Sequence, residues 1–358
     1  MTPVHAFQFL LAAKQAELHQ RQRFSFYLEL ISAICALVHQ LQRERGLSNG
    51  FLASGSELFR VERNLQCTLV DQSLNALQLK LKALLPESGC FDSAVCHRTS
   101  MALLAQQDLT MLRQQISSQA IGTQQSAQAF SRLIHAWHLV VELLAERISD
   151  ASLQLMLQCL LELSRMKELA GQERAWGNVG FSQGCFSQEL SRYIMDLDEE
   201  QQQAAERFLQ IAPPALVNAW TSQGNSQVSE DLAHLRRMLR QFNGADCMVP
   251  AIADVWYQLT TERIDRMQQI MLLILAGIDA ELQQALADAE RNLTEVQAQS
   301  AGLNEPGSPV SSLLFDPSMP GLHGIAMATP EPERWNPFYK LQQEQATSFA
   351  QSAVVQRS

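Results

Sequence analysis

Residues 27–52 read YLELISAICALVHQLQRERGLSNGFL. Tyr27, Ile31, Ile34, Val38 and Leu41 follow one another at spacings of 4, 3, 4 and 3, which puts them on one stripe of an α-helix and makes that stripe its core-facing side. The next position in the series is Arg45, and Ser48 and Leu52 continue it. A guanidinium that is charged at every physiological pH therefore stands where the pattern calls for a hydrocarbon. A buried ion without a partner costs several kcal/mol, so this position demands either a carboxylate or a bound anion.

Outward from this helix the chain keeps the same character. Its 358 residues exceed what one compact domain usually needs, which predicts two core units or one elongated helical unit. Hydrophobic residues make up 46% and charged residues 18% of the chain, which rules out wholesale disorder. Of the 12 prolines only Pro3, Pro86, Pro213, Pro214 and Pro250 precede residue 300. Few breakers, abundant Leu, Ala and Gln, and 7% aromatics predict an all-α fold. Periodicity and caps place helices at roughly 5–20, 24–53, 57–84, 93–117, 123–148, 152–177, 187–210, 228–242 and 252–298. Pro86 to Gly89, Ser149-Asp150, Pro213-Pro214, and Asn243-Gly244 followed by Pro250 mark breaks between them. Beyond Gln299 the composition turns to Gly, Pro and Ser, which predicts a disordered linker over 299–333. A tail over 334–358 follows, with Trp335, Phe338, Tyr339 and Leu341 as a candidate docking motif.

The formal charge of −10 argues against direct nucleic-acid binding, because phosphate affinity comes from clustered Lys and Arg. The seven cysteines are odd in number, contain no CxxC pair and lie mostly in apolar helical stretches, as reduced packing residues of a cytoplasmic protein do. The N-terminal segment lacks the order of a signal peptide. Ile270 to Ile278, the most apolar run, is bounded by Asp265 and Asp279, so no membrane span is expected. His135 and His138 lie three apart without a complementary pair, and Cys90 and Cys96-His97 likewise stand alone. No metal site and no cofactor follow from them. Neither a phosphate-binding Gly-rich loop nor a nucleophile elbow occurs, and no enzyme is expected.

The segment Glu44-Arg45-Gly46-Leu47-Ser48-Asn49 is echoed by Glu173-Arg174-Ala175-Trp176-Gly177-Asn178. Both carry Glu-Arg, a small residue, a large apolar one, a small one and Asn, and both are followed by a phenylalanine, Phe51 and Phe181. Duplication of a helical half is one reading and local convergence the other, since the flanks share little identity. Arg174 lies at the edge of a stripe formed by Met156, Leu160, Leu163, Lys167 and Ala170. Two such arginines aimed at one seam would grip a small planar oxyanion, each through two parallel hydrogen bonds. The small residues Gly46, Ser48 and Ala175 would shape that seam and let helices approach. Alternatively Arg45 and Arg174 pair with carboxylates such as Glu44, Glu168 or Glu173 and are architectural.

The string Leu41-Gln-Arg-Glu-Arg-Gly-Leu-Ser48, followed by Gly50 and Leu52-Ala-Ser54, resembles the signature helix of the nitrate- and nitrite-sensing (NIT) domain family. Lys167-Glu168, Ala170-Gly171 and Glu173-Arg174-Ala175 resemble its second block, and Trp256, Thr261 and Arg263-Ile264-Asp265 its closing helix. The resemblance runs over roughly residues 24–290. It implies two antiparallel helical bundles side by side, binding nitrate or nitrite between them, with Arg45 and Arg174 as ligands and Arg236 or Arg263 as a third cation. Soluble members that act as antiterminators carry an RNA-binding ANTAR module, for which residues 299–358 offer no helical stretch and only three basic residues, Arg334, Lys340 and Arg357. The division that follows is an N-terminal helix at 1–23, a sensing domain at 24–298, the linker and the tail. The expected function is cytoplasmic sensing of nitrate or nitrite, relayed by the long terminal helix to an effector protein that the sequence does not identify. Ile274, Ile278, Leu282 and Leu286 on that helix are spaced to form a homodimer or to meet a partner helix. A helical adaptor that has lost its ligand is the alternative.

Overall fold

The computed structural model describes residues 6–54, 59–84, 91–224, 226–241 and 251–303. They form α1 (Ala6–Ser54), α2 (Arg60–Leu84), α3 (Ser93–Gln107), α4 (Leu109–Ser117), α5 (Thr123–Arg147), α6 (Ala151–Gln183), α7 (Gln188–Ile211), α8 (Pro214–Gly224), α9 (Gln227–Gln241) and α10 (Ala251–Leu303). No strand occurs among the described residues, and the fold is all-α, as the composition predicts. Residues up to Val296 make one compact unit. The linker and tail expected from the sequence lie, past Leu303, outside the described residues.

The stripe read from residues 27–52 is the centre of the core. Ile31, Ile34, Leu41, Arg45 and Ser48 are all fully buried. α1 packs against α2 and α5, with α3 laid on α5, and these helices with α4 form one bundle. α6 packs against α7, and α7 meets α9; with α8 and α10 they form the second. The two share a single core along the contact of α1 with α6, where Ile34 and Leu41 join Leu160, Met166, Ile264 and Ile270. A smaller cluster gathers Phe181, Phe186, Ile194, Leu232 and Trp256 at the far end of α6.

Several boundaries differ from the sequence expectation, each for a local reason. The helices expected at 5–20 and 24–53 are one, α1. The run Gln20-Arg-Gln-Arg23 contains no breaker, and Arg21 bonds Glu17 one turn back and Asp150 on the neighbouring chain segment. The expected 93–117 helix is interrupted at Asp108. α8 was not anticipated because Pro213-Pro214 reads as a stop. Pro214 instead opens a helix, where its missing N–H costs nothing. α6 runs on to Gln183 rather than ending near 177. Gly177 and Gly180 do not break it; they let the rings of Trp256 and Phe186 lie against its backbone. It stops at Gly184, whose φ of 67° is the left-handed cap of a Schellman-type end, with the Cys185 N–H donating to the Gly180 carbonyl at 3.2 Å.

The stripe on α10 offered for dimerisation is used within the chain. Ile274, Ile278 and Leu282 are fully buried and Leu286 packs against the same core. Periodicity shows that a face is covered; it does not say by what. The stretches Gln8–Ser54 and Ile252–Ala298 are long and apolar enough to cross a membrane; 61% of the apolar window is buried inside the protein in the first and 33% in the second. Core helices of this length pass such a test because their inner stripe is continuous hydrocarbon.

Gly177→Ala is expected to destabilise the protein by about 1–3 kcal/mol, because a Cβ would overlap the fully buried Trp256 indole, which has no room to turn. A lower urea midpoint checks this. An unchanged midpoint would mean that the helix pair relaxes freely there.

Candidate functional site

Arg45 sits midway along the buried stripe of α1 and reaches across to α6. Its Nη1 donates to Glu168 Oε1 at 2.6 Å and to Ser131 Oγ of α5 at 2.7 Å, and its Nη2 donates to Glu168 Oε2 at 3.2 Å. Gln42 and Gln172 each donate to the same carboxylate at 2.9 Å. Burial disfavours ionisation of Glu168, but the Arg45 charge and these hydrogen bonds outweigh it and hold the carboxyl below the usual range. The approach is close: a Cβ at Gly171 would overlap Arg45 Nη2. For Arg45, then, the architectural pairing weighed from the sequence is present, with Glu168 as its partner.

Arg174 is built the same way round from the other side. It projects from α6 toward α1, is fully buried, and lies against Gly46, whose Cβ would come within 3.0–3.1 Å of the guanidinium. Its Nη2 donates to the Gln42 carbonyl at 2.6 Å and its Nη1 to Thr261 Oγ1 of α10 at 3.0 Å, with the Tyr257 ring beneath at 5.4 Å. Among the described residues no carboxylate lies within 4 Å of it, and its Nε–H has no acceptor. Of the five N–H groups of a guanidinium, two are used. The alternative carboxylates are engaged elsewhere. Glu44 is held in a two-point bond by Arg113 at 2.8 Å, and Glu173 by Arg236 at 2.6 and 2.7 Å. Burial, reinforced by the charge of Arg45, pushes Arg174 below the ordinary arginine range, although the nearby Tyr257 opposes this. Arg63, also buried, makes an instructive contrast: each of its nitrogens has an oxygen acceptor, Ser48 Oγ, Ser117 Oγ or the Arg113 carbonyl.

The surroundings of Arg174 are positive. Lys167 is buried on the same helix, bonded to Gln268 and 3.9 Å from Met271 Sδ, with no carboxylate in contact among the described residues. Burial pushes its ammonium down to about 8. His39 of α1 is held neutral, its pKa lowered to about 2 by burial and by Lys167, Arg43 and Arg174. Asp265 of α10 stands 3.8 Å from His39 Nε2 and 3.7 Å from Arg43. Three cations, Arg43, Lys167 and Arg174, thus face one carboxylate where α1, α6 and α10 meet, an arrangement with room in its charge balance for an anion.

Arg236 and Arg263, the weaker candidates, turn to Glu173 and Asp198. Arg236 bonds both carboxylates, Asp198 at 2.7 Å, while Arg263 lies 3.7 Å from Glu173 and donates to Gln201. Burial and the neighbouring Arg236 push Arg263 down to about 10. Two arginines and two carboxylates make this cluster neutral by itself. Ala175 is buried beside Arg174, and Ser48 faces Arg63 rather than the arginine pair. Lys167 and Thr261, quoted in the resemblance, and His39 are the residues around Arg174 that reading by stripe left without a role. The signal that finds His39 is the spacing of the duplicated block, since His39 stands six residues before Arg45 as Glu168 stands six before Arg174.

Lys167 is charged in the unfolded chain up to about 10.5 but in the folded protein only up to about 8. Its burial therefore costs stability fully below pH 8, and the cost fades as pH rises from 8 toward 10.5. Lys167→Met is expected to be more stable than the parent at pH 7 by about 1 kcal/mol or more, with the advantage shrinking at pH 9.5. Urea midpoints at the two pH values check it; a less stable variant at pH 7 would contradict the placement of the ammonium.

A family profile described as nitrate and nitrite sensing matches residues 36–279. The nitrate regulatory protein of Klebsiella oxytoca is 31% identical over 268 residues, which are 74% of this chain and 66% of that relative, so this chain spans just under two thirds of its length. A solved structure of the NasR transcription antiterminator is similar with a TM-score of 0.69 at 28% identity, over 83% of each chain. The profile match contains His39, Arg45, Lys167, Glu168, Arg174 and Thr261. The chain belongs to the nitrate- and nitrite-sensing family.

Proposed function

We propose that the chain is a cytoplasmic sensor of nitrate or nitrite that controls a regulatory partner rather than catalysing a reaction. The observation that carries this reading is the fully buried Arg174 guanidinium, which has no carboxylate within 4 Å among the described residues, one helix away from an arginine that has its carboxylate. A planar oxyanion accepts the parallel N–H pair of a guanidinium edge and supplies the charge that the site lacks. Arg174 is the principal ligand in this reading, with Arg45 at the adjoining position. Arg236 and Arg263 support it indirectly by keeping Glu173 away from Arg174. Occupancy is communicated by α10, because Thr261, Asp265 and Gln268 all touch the groups around the anion and one helix carries them. A small displacement of such a helix past its neighbours is a known form of signal.

Nitrate at a hundredfold excess over its dissociation constant adds about 2.7 kcal/mol to stability. A rise in Tm of several degrees is therefore expected for the parent chain and none for Arg174→Ala. Arg174→Lys is expected to respond poorly, since an ammonium cannot reproduce a two-point planar contact. Absence of any nitrate response in the parent chain would favour the adaptor reading. The affinity is expected to be flat from pH 6 to 7.5 and to fall above pH 8, where Lys167 loses its charge in the empty protein and must regain a proton on binding. Titration calorimetry across that range checks this, and a fall between pH 6 and 7 would contradict it.

A further inference from the structure

The Glu-Arg blocks stand 129 residues apart, from Glu44 to Glu173 and from Arg45 to Arg174. Applied to their surroundings, the same offset relates Gln42 to Gly171 and His39 to Glu168. The contacts obey it. Arg45 of α1 lies over residue 171 of α6, and Arg174 of α6 donates to residue 42 of α1. Each acidic neighbour, Glu44 or Glu173, is turned away and held by an arginine from a later helix of its own bundle, Arg113 or Arg236. The two arginines are thus quasi-equivalent, and the relation breaks at one pair of positions. The residue that neutralises Arg45 is Glu168; its counterpart by the same offset is His39, an imidazole held neutral by burial and by the cations around it, Arg174 among them, with Nδ1 unbonded and Nε2 3.8 Å from Asp265.

Resting on the reading of Arg174 as the anion ligand, we propose that the fold contains two equivalent anion positions, one filled permanently by the chain's own Glu168 and one kept open for a planar inorganic oxyanion because position 39 is histidine rather than glutamate. His39 is then the specificity-determining residue: it lines the open position without bringing a competing charge. The Nε–H groups of Arg174 and Arg45 are both buried and unused, so what separates the two positions is the carboxylate that Arg45 has and that Arg174 lacks among the described residues. The groups acting on Arg174 are Arg43 and Arg45 of α1 and Tyr257, Thr261 and Asp265 of α10, with Lys167 on its own helix. Asp265 bonds toward Arg43 and His39 and lies beyond 4 Å of Arg174.

The test compares His39→Glu with His39→Gln in the full chain, titrated with sodium nitrate by calorimetry. Glutamate at 39 is expected to supply the internal carboxylate, abolish nitrate binding and raise the Tm of the nitrate-free protein. Glutamine, of the same length and uncharged, is expected to keep binding within about tenfold of the parent. If both variants bind nitrate alike, or both lose it alike, the charge at position 39 does not decide occupancy and the proposal fails. Should His39→Glu not fold, Glu168→Gln reads the same relation from the other side: with Arg45 freed, stoichiometry is expected to rise from one nitrate per chain to two, and a value of one would overturn the proposal. A parent chain that binds no nitrate at all would instead sink the reading of Arg174 on which this rests.

Discussion

A guanidinium taken out of water with no counter-charge among the described residues is the constraint around which the rest of this protein is arranged. Arg174 is fully buried where α1, α6 and α10 meet, and among the described residues its partners are two neutral acceptors and an aromatic face. Such burial is unfavourable by several kcal/mol in the empty protein, and what tolerates it is the large shared core of Ile34, Leu41, Leu160, Met166 and Ile270. On the proposed reading, one bound anion relieves that cost, and affinity for it is tied directly to the packing of three helices.

Arg45 and Glu168 show what the closed version looks like. The carboxylate takes two bonds from the arginine and one each from Gln42 and Gln172, and such a set is mainly a fastener between α1 and α6. Glu173, Asp198, Arg236 and Arg263 form a second fastener, between α6, α7, α9 and α10. On the proposed reading, an anion held at Arg174 acts on Thr261 and on the Lys167 to Gln268 contact, both of which tie α10 to α6.

The fold was largely legible because an all-helical chain announces its buried faces by spacing. The stripe from Tyr27 to Leu52 is buried as read, and the arginine within it is buried too. Boundaries were lost where one residue type has two uses. Pro214 can stop a helix or open one, and Gly177 can break a helix or admit an indole. The stripe at Ile274 to Leu286 was legible as buried but not as buried within its own chain. In the site, Arg45 and Arg174 stood out by pattern, yet their difference did not, because ion pairing is a tertiary fact. Nothing in the local sequence says that Glu168 serves an arginine on another helix, or that Glu173 serves Arg236 and leaves Arg174 bare. Lys167 was legible as a cation within an apolar stripe, but its partner was not, because the Gln268 that it bonds comes from α10.

The central claim is that one inorganic anion completes the charge balance at Arg174. A crystal structure of the full chain grown with sodium nitrate tests it most directly. The account predicts trigonal density within hydrogen-bonding distance of the Arg174 guanidinium, with the Arg45 to Glu168 pair intact. Density on Arg45 with Glu168 displaced, or nitrate bound only at the surface while Arg174 keeps its two neutral partners, would contradict it.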